Sequence, residues 1–247
     1  MTDTQEITRD GFLNGAVTVL QPAEGYRAGL DAVLLASAID EGRGEAIAEA
    51  GCGAGAALLC AAQRLERARF TGFERDAAMA DLARQGVTVN GFDSRMSVVV
   101  ADVGQRAGVG ENVFDQSFSN PPFFEPGDVR RPAPGKEAAY LAETPLRDWI
   151  LFLHHITRPG GTITLIHRAA ALADLLELSN RYMGEIEVMP VRPAPGAPAH
   201  RVLVRGRKGL RRGPVTLYEG LTLHAVEGGP STERAADSLR GGALDWR

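Results

Sequence analysis

Short apolar runs alternate with amphipathic stretches along most of this chain, with glycine and proline between them. Phe12 to Val19 carries Asn14-Gly15 between apolar residues, the strongest short-range hairpin signal. A turn-rich stretch from Gln21 to Leu30 follows. Asp31 then stands where it can N-cap a helix through Ile39, with Val33, Leu34 and Leu35 on the apolar side. Ala46–Ala50 reads as a strand, Gly51-Cys52-Gly53-Ala54-Gly55 as a turn, and Ala56–Leu65 as a helix. Phe70–Phe73 is a second strand, and Asp76 is the expected N-cap of a helix through Val89. Ser97–Ala101 and Val113–Phe118 are the third and fourth strands. Leu146, Trp149, Ile150, Leu153 and Ile156 repeat at the helical period through Thr157, and Pro159-Gly160-Gly161 turns the chain into a fifth strand, Thr162–His167. A helix over Ala169–Arg181 precedes two strands, Ile186–Val191 and Arg201–Arg205, expected to pair antiparallel at a sheet edge. Short strand pieces at 215–217 and 221–223 and a closing helix over Ser231–Arg240 complete the pattern. Strand and helix in alternation predict an α/β fold with a parallel sheet.

Composition adds bounds rather than elements. The 247 residues suffice for one large domain with appendages. Expected boundaries are an N-terminal hairpin and helix over 1–40, a main domain over 41–212 and an extension of it over 213–247. A net charge of −4 excludes a uniformly basic coat but leaves room for a local basic groove. Cys52 and Cys60 are too few for a disulfide framework. The polar N-terminus and the lack of a span-length apolar run predict a cytoplasmic protein with no membrane contact. The histidines show no metal-ligand spacing, so no metal is expected.

The candidate chemistry gathers at strand ends. Glu49, Glu74 and Asp102 stand at the ends of three successive strands, where an open parallel sheet forms its ligand crevice. An acid at the second strand's end suits a ribose diol, and Asp102 suits an adenine amine. The fourth strand delivers Ser119-Asn120-Pro121-Pro122-Phe123-Phe124 to the same edge. Two prolines make a stiff, extended exit whose carbonyls join no ladder. The Asn120 side chain adds an acceptor and Phe123 a flat apolar face, an arrangement that suits a planar –NH₂ group. Read alone, the same residues also make an ordinary Asn-Pro turn. Gly51, Gly53 and Ala56 fit the dinucleotide pattern as well, although Glu49 sits poorly beside a pyrophosphate. The loop from Glu125 to Ala139, with Arg130, Arg131 and Lys136, reads as a substrate-side lid. Arg205, Arg207, Lys208, Arg211 and Arg212 form either a solvated basic turn or a phosphate-backbone contact.

Glu49-Ala-Gly51-Cys-Gly53-Ala-Gly55, Glu74, Asp102 and Asn120-Pro-Pro-Phe123 together resemble the class I S-adenosylmethionine-dependent methyltransferases. The Asn-Pro-Pro-aromatic motif looks like that of the branch that methylates amino groups. The segment from Gln21-Pro22 through Gly25-Tyr26-Arg27-Ala28-Gly29 to Ala36 is similar to the bacterial tRNA(Val) adenine-N6 methyltransferase family, as are Arg201-Val-Leu-Val-Arg205 and Lys208-Gly209. The resemblance implies a Rossmann-like doubly wound seven-stranded sheet, mostly parallel with an antiparallel last strand. It implies S-adenosyl-L-methionine as cofactor and an RNA substrate, tRNA near the anticodon, with no obligate protein partner. Gly51, Gly53 and Gly55 would admit the cofactor's methionine and ribose. Glu49 would lie near its amino-acid end, Glu74 would grip the ribose and Asp102 the adenine, and Tyr26, Arg27 and Gly29 would close over it. Asn120, Pro121 and Phe123 would hold the reacting amine, with Asn120 also beside the cofactor. Pro122, Phe124, Arg130, Arg131, Lys136, Arg207 and Lys208 would face the substrate. Competing readings are an rRNA guanine-N2 or protein glutamine-N5 methyltransferase, a catalytically silent cofactor- or RNA-binding module, and a nicotinamide oxidoreductase.

Overall fold

The computed structural model describes residues 6–25, 27–122 and 144–246. The N-terminal hairpin pairs β1 (Ile7–Phe12) with β2 (Val17–Pro22) antiparallel, Phe12 opposite Val17. Leu13, Asn14 and Gly15 take φ of 51°, 56° and 87°, the left-handed region that Asn-Gly enters most readily. The hairpin extends further both ways than Asn14-Gly15 alone indicates.

The remaining strands are β3 (Ala46–Ala50), β4 (Arg69–Glu74), β5 (Met96–Val100), β6 (Phe114–Ser119), β7 (Thr157–Arg168), β8 (Met183–Arg192), β9 (Arg201–Lys208), β10 (Thr216–Leu217) and β11 (Leu221–Thr222). They form one sheet of nine strands in the order β10-β8-β9-β7-β6-β3-β4-β5, with β11 also on β8. β9 runs antiparallel to both β7 and β8, and the other pairings are parallel. The expected count of seven is therefore exceeded. β10 and β11, two residues each, fold back along β8 and pair what is otherwise an open edge.

Six helices occur among the described residues: α1 (Leu30–Ser37), α2 (Ala56–Arg64), α3 (Ala77–Val89), α4 (Leu146–Ile156), α5 (Leu172–Tyr182) and α6 (Glu233–Leu239). They lie on both sides of the sheet. Ile47, Phe70, Phe118 and Leu203 meet α1, α2, α3 and the hairpin on one face, while Ala48, Phe73, Leu165 and Val204 meet α4 and α5 on the other. Asp76 caps α3 as expected, accepting from the Ala78 and Met79 N–H groups at 2.8 and 3.3 Å. Asp31 does not cap α1. Gly29 holds that place, and Asp31, one residue into the helix, pairs with Arg201 at 2.8 Å. The fifth strand begins earlier than expected, because Arg158–Gly161 are absorbed as a bulge between Thr157 and Thr162 rather than forming a separate turn. No helix among the described residues is long and apolar enough to cross a membrane.

Candidate functional site

The crevice lies along the carboxyl ends of β3, β4, β5 and β6. Ala50 pairs with Phe73 and with Ser119, so Gly51 and Asn120 are the first residues past adjacent strand ends. Ser119, fully buried, donates its hydroxyl to the Ala50 carbonyl at 2.8 Å and fixes that neighbourhood. Asn120 is half-buried, Pro121 buried and Pro122 exposed. Phe123, Phe124, Arg130, Arg131 and Lys136, and the lid expected over Glu125–Ala139, lie outside the described residues.

The glycine turn is strapped to β4, since Gly51 and Cys52 both donate to the Phe73 carbonyl at 2.7 and 3.0 Å. Gly51, Gly53 and Gly55 have φ of 67°, 54° and 86°. A methyl on Gly51 would stand 2.4 Å from Cη2 of Trp149, so this turn and the α4 indole require the absence of a side chain. Trp149 is the partner sequence reasoning missed. Its helical spacing marked it as buried but not against what.

Glu74 is held from two sides, accepting from the Gly53 N–H at 2.8 Å and the Asp76 N–H at 2.9 Å. Glu74 is the last residue of β4 and pairs with Val100 of β5, two positions before Asp102, whose Oδ1 accepts from the Gly104 N–H at 2.8 Å. An open depression of 720 Å³ is lined here by Arg75, Val100, Ala101, Asp102, Gln105 and Val109, among others. Glu49 sits beneath the turn and is only 3% exposed. Burial pushes its carboxyl well above the ordinary range, the Leu58 N–H at the start of α2 draws it back, and the negative Glu74 raises it further. Its Oε2 has no hydrogen-bond partner. Burial likewise raises the Cys52 thiol, with Glu49 and Glu74 adding to it, and lifts Cys60 to about 12, so neither is a nucleophile.

Three expected contributors do not join this group. Arg27 is tied to the hairpin instead, with Asp10 at 2.6 Å, Thr8 at 2.9 Å and the Pro22 carbonyl at 3.1 Å. Arg207 and Lys208 end a strand that runs against its neighbours, so they emerge at the opposite edge of the sheet. Arg207 donates to the Gly160 carbonyl at 2.9 and 3.0 Å, and the ammonium of Lys208, a buried residue, donates to Asn112 at 2.7 Å and to the His154 carbonyl. Arg205, from the same basic run, lies between Glu187, Asp40 and the Trp246 ring rather than in solvent. Gly29 stands at the start of α1, two residues before Asp31, whose partner Arg201 pairs with Arg168 at the carboxyl end of β7. Tyr26 lies outside the described residues.

The methyltransferase small domain family matches residues 28–134. A tRNA1(Val) (adenine(37)-N6)-methyltransferase of Porphyromonas gingivalis is 29% identical over 84% of this chain and 85% of its own. The enzyme of the same name from Photorhabdus laumondii is 24% identical over 94% and 95%. Among solved structures, a predicted O-methyltransferase of Agrobacterium tumefaciens is 32% identical and covers 88% of this chain and 99% of its own, with a TM-score of 0.72. A Pyrococcus horikoshii TYW2 solved with MeSAdo shares the fold at a TM-score of 0.57 and 17% identity.

Proposed function

Because the chain belongs to the S-adenosylmethionine-dependent methyltransferases, we propose that it methylates the N6 amine of adenine in RNA, at the adenine beside the anticodon of a valine tRNA. The observation that carries this reading is the Asn120-Pro121-Pro122 exit of β6, one strand away from the Gly51 turn and its acids. The name shared by relatives along nearly the whole chain supports the choice of substrate.

The residues present fit the cofactor. Three left-handed glycines leave the turn bare at alternate positions, a buried Glu49 oxygen stands without a partner, and Glu74 is preset by two N–H donors. Gly51, Gly53 and Gly55 would hold the methionine and ribose end, Glu74 the ribose hydroxyls and Asp102 the adenine. Bound there, the cofactor supplies an electrophilic methyl on a cationic sulfur.

The chain's own task is to make a poor nucleophile attack. An adenine amine has its lone pair delocalised into the ring. The Asn120 side-chain carbonyl and the Pro121 carbonyl accept its two N–H bonds, which favours a pyramidal nitrogen with its lone pair aimed across the crevice. Positioning of this kind lowers a barrier by up to about 7–11 kcal/mol. The proton leaves after the nitrogen has become cationic, so no base need take it beforehand. A hydroxyl has only one hydrogen to offer two acceptors, which favours an amine over the O-methylation predicted for the Agrobacterium protein. An anticodon loop presents bases already partly unpaired, so extrusion into the crevice is cheap.

The test is incubation with S-adenosylmethionine and unmodified total tRNA, followed by nucleoside mass spectrometry, with Asn120→Ala alongside. New N6-methyladenosine, lowered by about 100- to 1,000-fold or more in the variant, is the expected result. N2-methylguanosine in its place, or undiminished transfer by the variant, overturns the reading.

A further inference from the structure

Glu49 is the one acid of the crevice buried among apolar residues. It lies on the β3 face that meets α2, with Ile47 two residues before it and Leu58 and Leu59 across the interface. One carboxyl oxygen takes the Leu58 N–H, while Oε2 has no partner and no water-accessible surface. A charged oxygen left in that state is far more expensive than a neutral one. Among the described residues, nothing nearby offsets a negative charge. Opposite Glu49 on β4 is Gly72, followed at the strand's end by the acid Glu74, and opposite it on β6 is Phe118, flanked by Ser117 and Ser119. The turn offers Cys52 and α2 offers Cys60, both held as thiols. Among the described residues, the cation whose field reaches Cys52 in this cluster is Arg84 of α3, already engaged by Asp81 and the Val98 carbonyl.

We propose that Glu49 is a neutral carboxylic acid in the cofactor-free protein and ionises when the cationic cofactor enters, so that cofactor binding releases a proton. The O–H bond of Glu49 breaks, its proton passes to solvent buffer, and the carboxylate remains as counter-charge to the cation. The ligand thus replaces the proton that made burial tolerable. The coupling rests on the cofactor half of the proposed function and is independent of the RNA substrate.

The sign follows from linkage. Binding favours the ionised form, so affinity rises with pH, by up to about tenfold per pH unit, until Glu49 is ionised in the free protein as well. Burial holds the free carboxyl above its usual range, with Glu74 adding to the effect against the Leu58 N–H, which carries this window above the range of an exposed glutamate.

The experiment is titration calorimetry of the full chain with S-adenosylmethionine, at one mildly acidic pH, in buffers of different ionisation enthalpy. The expected slope is about one proton released per cofactor bound. It falls toward zero as pH rises, and it is absent in Glu49→Gln, whose affinity is weaker and flat with pH over the same window. An infrared band of a protonated carboxyl, lost when the cofactor is added to the unaltered protein, gives the same answer should the variant fold poorly. S-adenosylhomocysteine, which keeps the ammonium but not the sulfonium charge, reports which cation is compensated: equal release assigns the ammonium, and release with the cofactor alone assigns the sulfonium. Cofactor binding with no proton exchange, or the same exchange in Glu49→Gln, overturns the proposal. No cofactor binding at all overturns both it and the methyltransferase reading, whereas failure on tRNA alone leaves it standing.

Discussion

Gly51→Ala is the sharpest single perturbation of the crevice, because two independent penalties meet at one added methyl. The backbone there has φ of 67°, and a residue with a Cβ in that region loses about 1–2 kcal/mol. The methyl would also stand 2.4 and 2.5 Å from Cη2 and Cζ3 of Trp149, well inside contact distance, and that ring is buried on α4. Overpacking of this kind adds about 1–3 kcal/mol, so the variant should lose about 2–5 kcal/mol in all. A domain with the usual reserve of about 5–15 kcal/mol stays folded, which keeps the measurement accessible. Urea denaturation gives the loss as a shift in midpoint at constant slope. Trp149→Phe removes the benzo edge that collides, so the double variant should recover the steric part and keep the backbone part, a coupling of about 1–3 kcal/mol. Strictly additive effects of Gly51→Ala and Trp149→Phe would refute the steric account.

Two further outcomes follow from contacts away from the chemistry. Asn90 clasps the hairpin to α3, accepting from the Thr18 N–H at 2.9 Å and donating to the Thr18 and Gly86 carbonyls at 2.7 Å each; Asn90→Ala should cost about 1–3 kcal/mol and speed amide exchange in β2 ahead of the main sheet. Glu187 is raised by burial but pulled lower overall by hydrogen bonds from Arg205 and Tyr218. Its folded value lies below its unfolded one, so it contributes stability above the unfolded value that is lost as pH falls through the folded one. Glu187→Gln should therefore flatten the acid side of a stability-against-pH curve, and an unchanged acid limb would show that the cluster around Arg205 and Trp246 does not depend on this charge.

What the chain reveals on inspection depends on how local each cause is. Strand, glycine turn and helix from Ala46 to Arg64, and the Asp76 cap of α3, are set by residues within a few positions of one another, and they appear where period and capping chemistry put them. Arg207 and Lys208 were misplaced for a non-local reason. A strand's residues show that it is a strand, whereas the edge its end reaches depends on its direction relative to its partners. Antiparallel pairing of β9 with β7 puts Arg201 beside Arg168 at the crevice edge and Arg207 beside Thr162 at the far one. Arg27 was intercepted by Asp10, a partner 17 positions away across the hairpin, which no motif signals. The two-residue strands β10 and β11 fall within the short pieces expected at 215–217 and 221–223, whereas their pairing with β8 is non-local and no period signals it.

The dinucleotide reading of Gly51, Gly53 and Ala56 is decided by hydrogen-bond accounting rather than by spacing. A pyrophosphate at a glycine turn needs the free N–H groups of the turn and of the first helical turn behind it. Here Gly53 N–H is given to Glu74, and Leu58 N–H, in the first turn of α2, is given to Glu49. Gly51 and Cys52 N–H are both spent on the Phe73 carbonyl, and Gly55 N–H on that of Cys52. An anion approaching this turn would meet the Glu74 carboxyl group where the Gly53 N–H would otherwise stand free, which disfavours a phosphate there. The same glycines that resemble a phosphate cradle therefore line a site of opposite charge preference, set by Glu74, which takes the Gly53 N–H, and by Glu49, whose proton gives way to the ligand's positive charge.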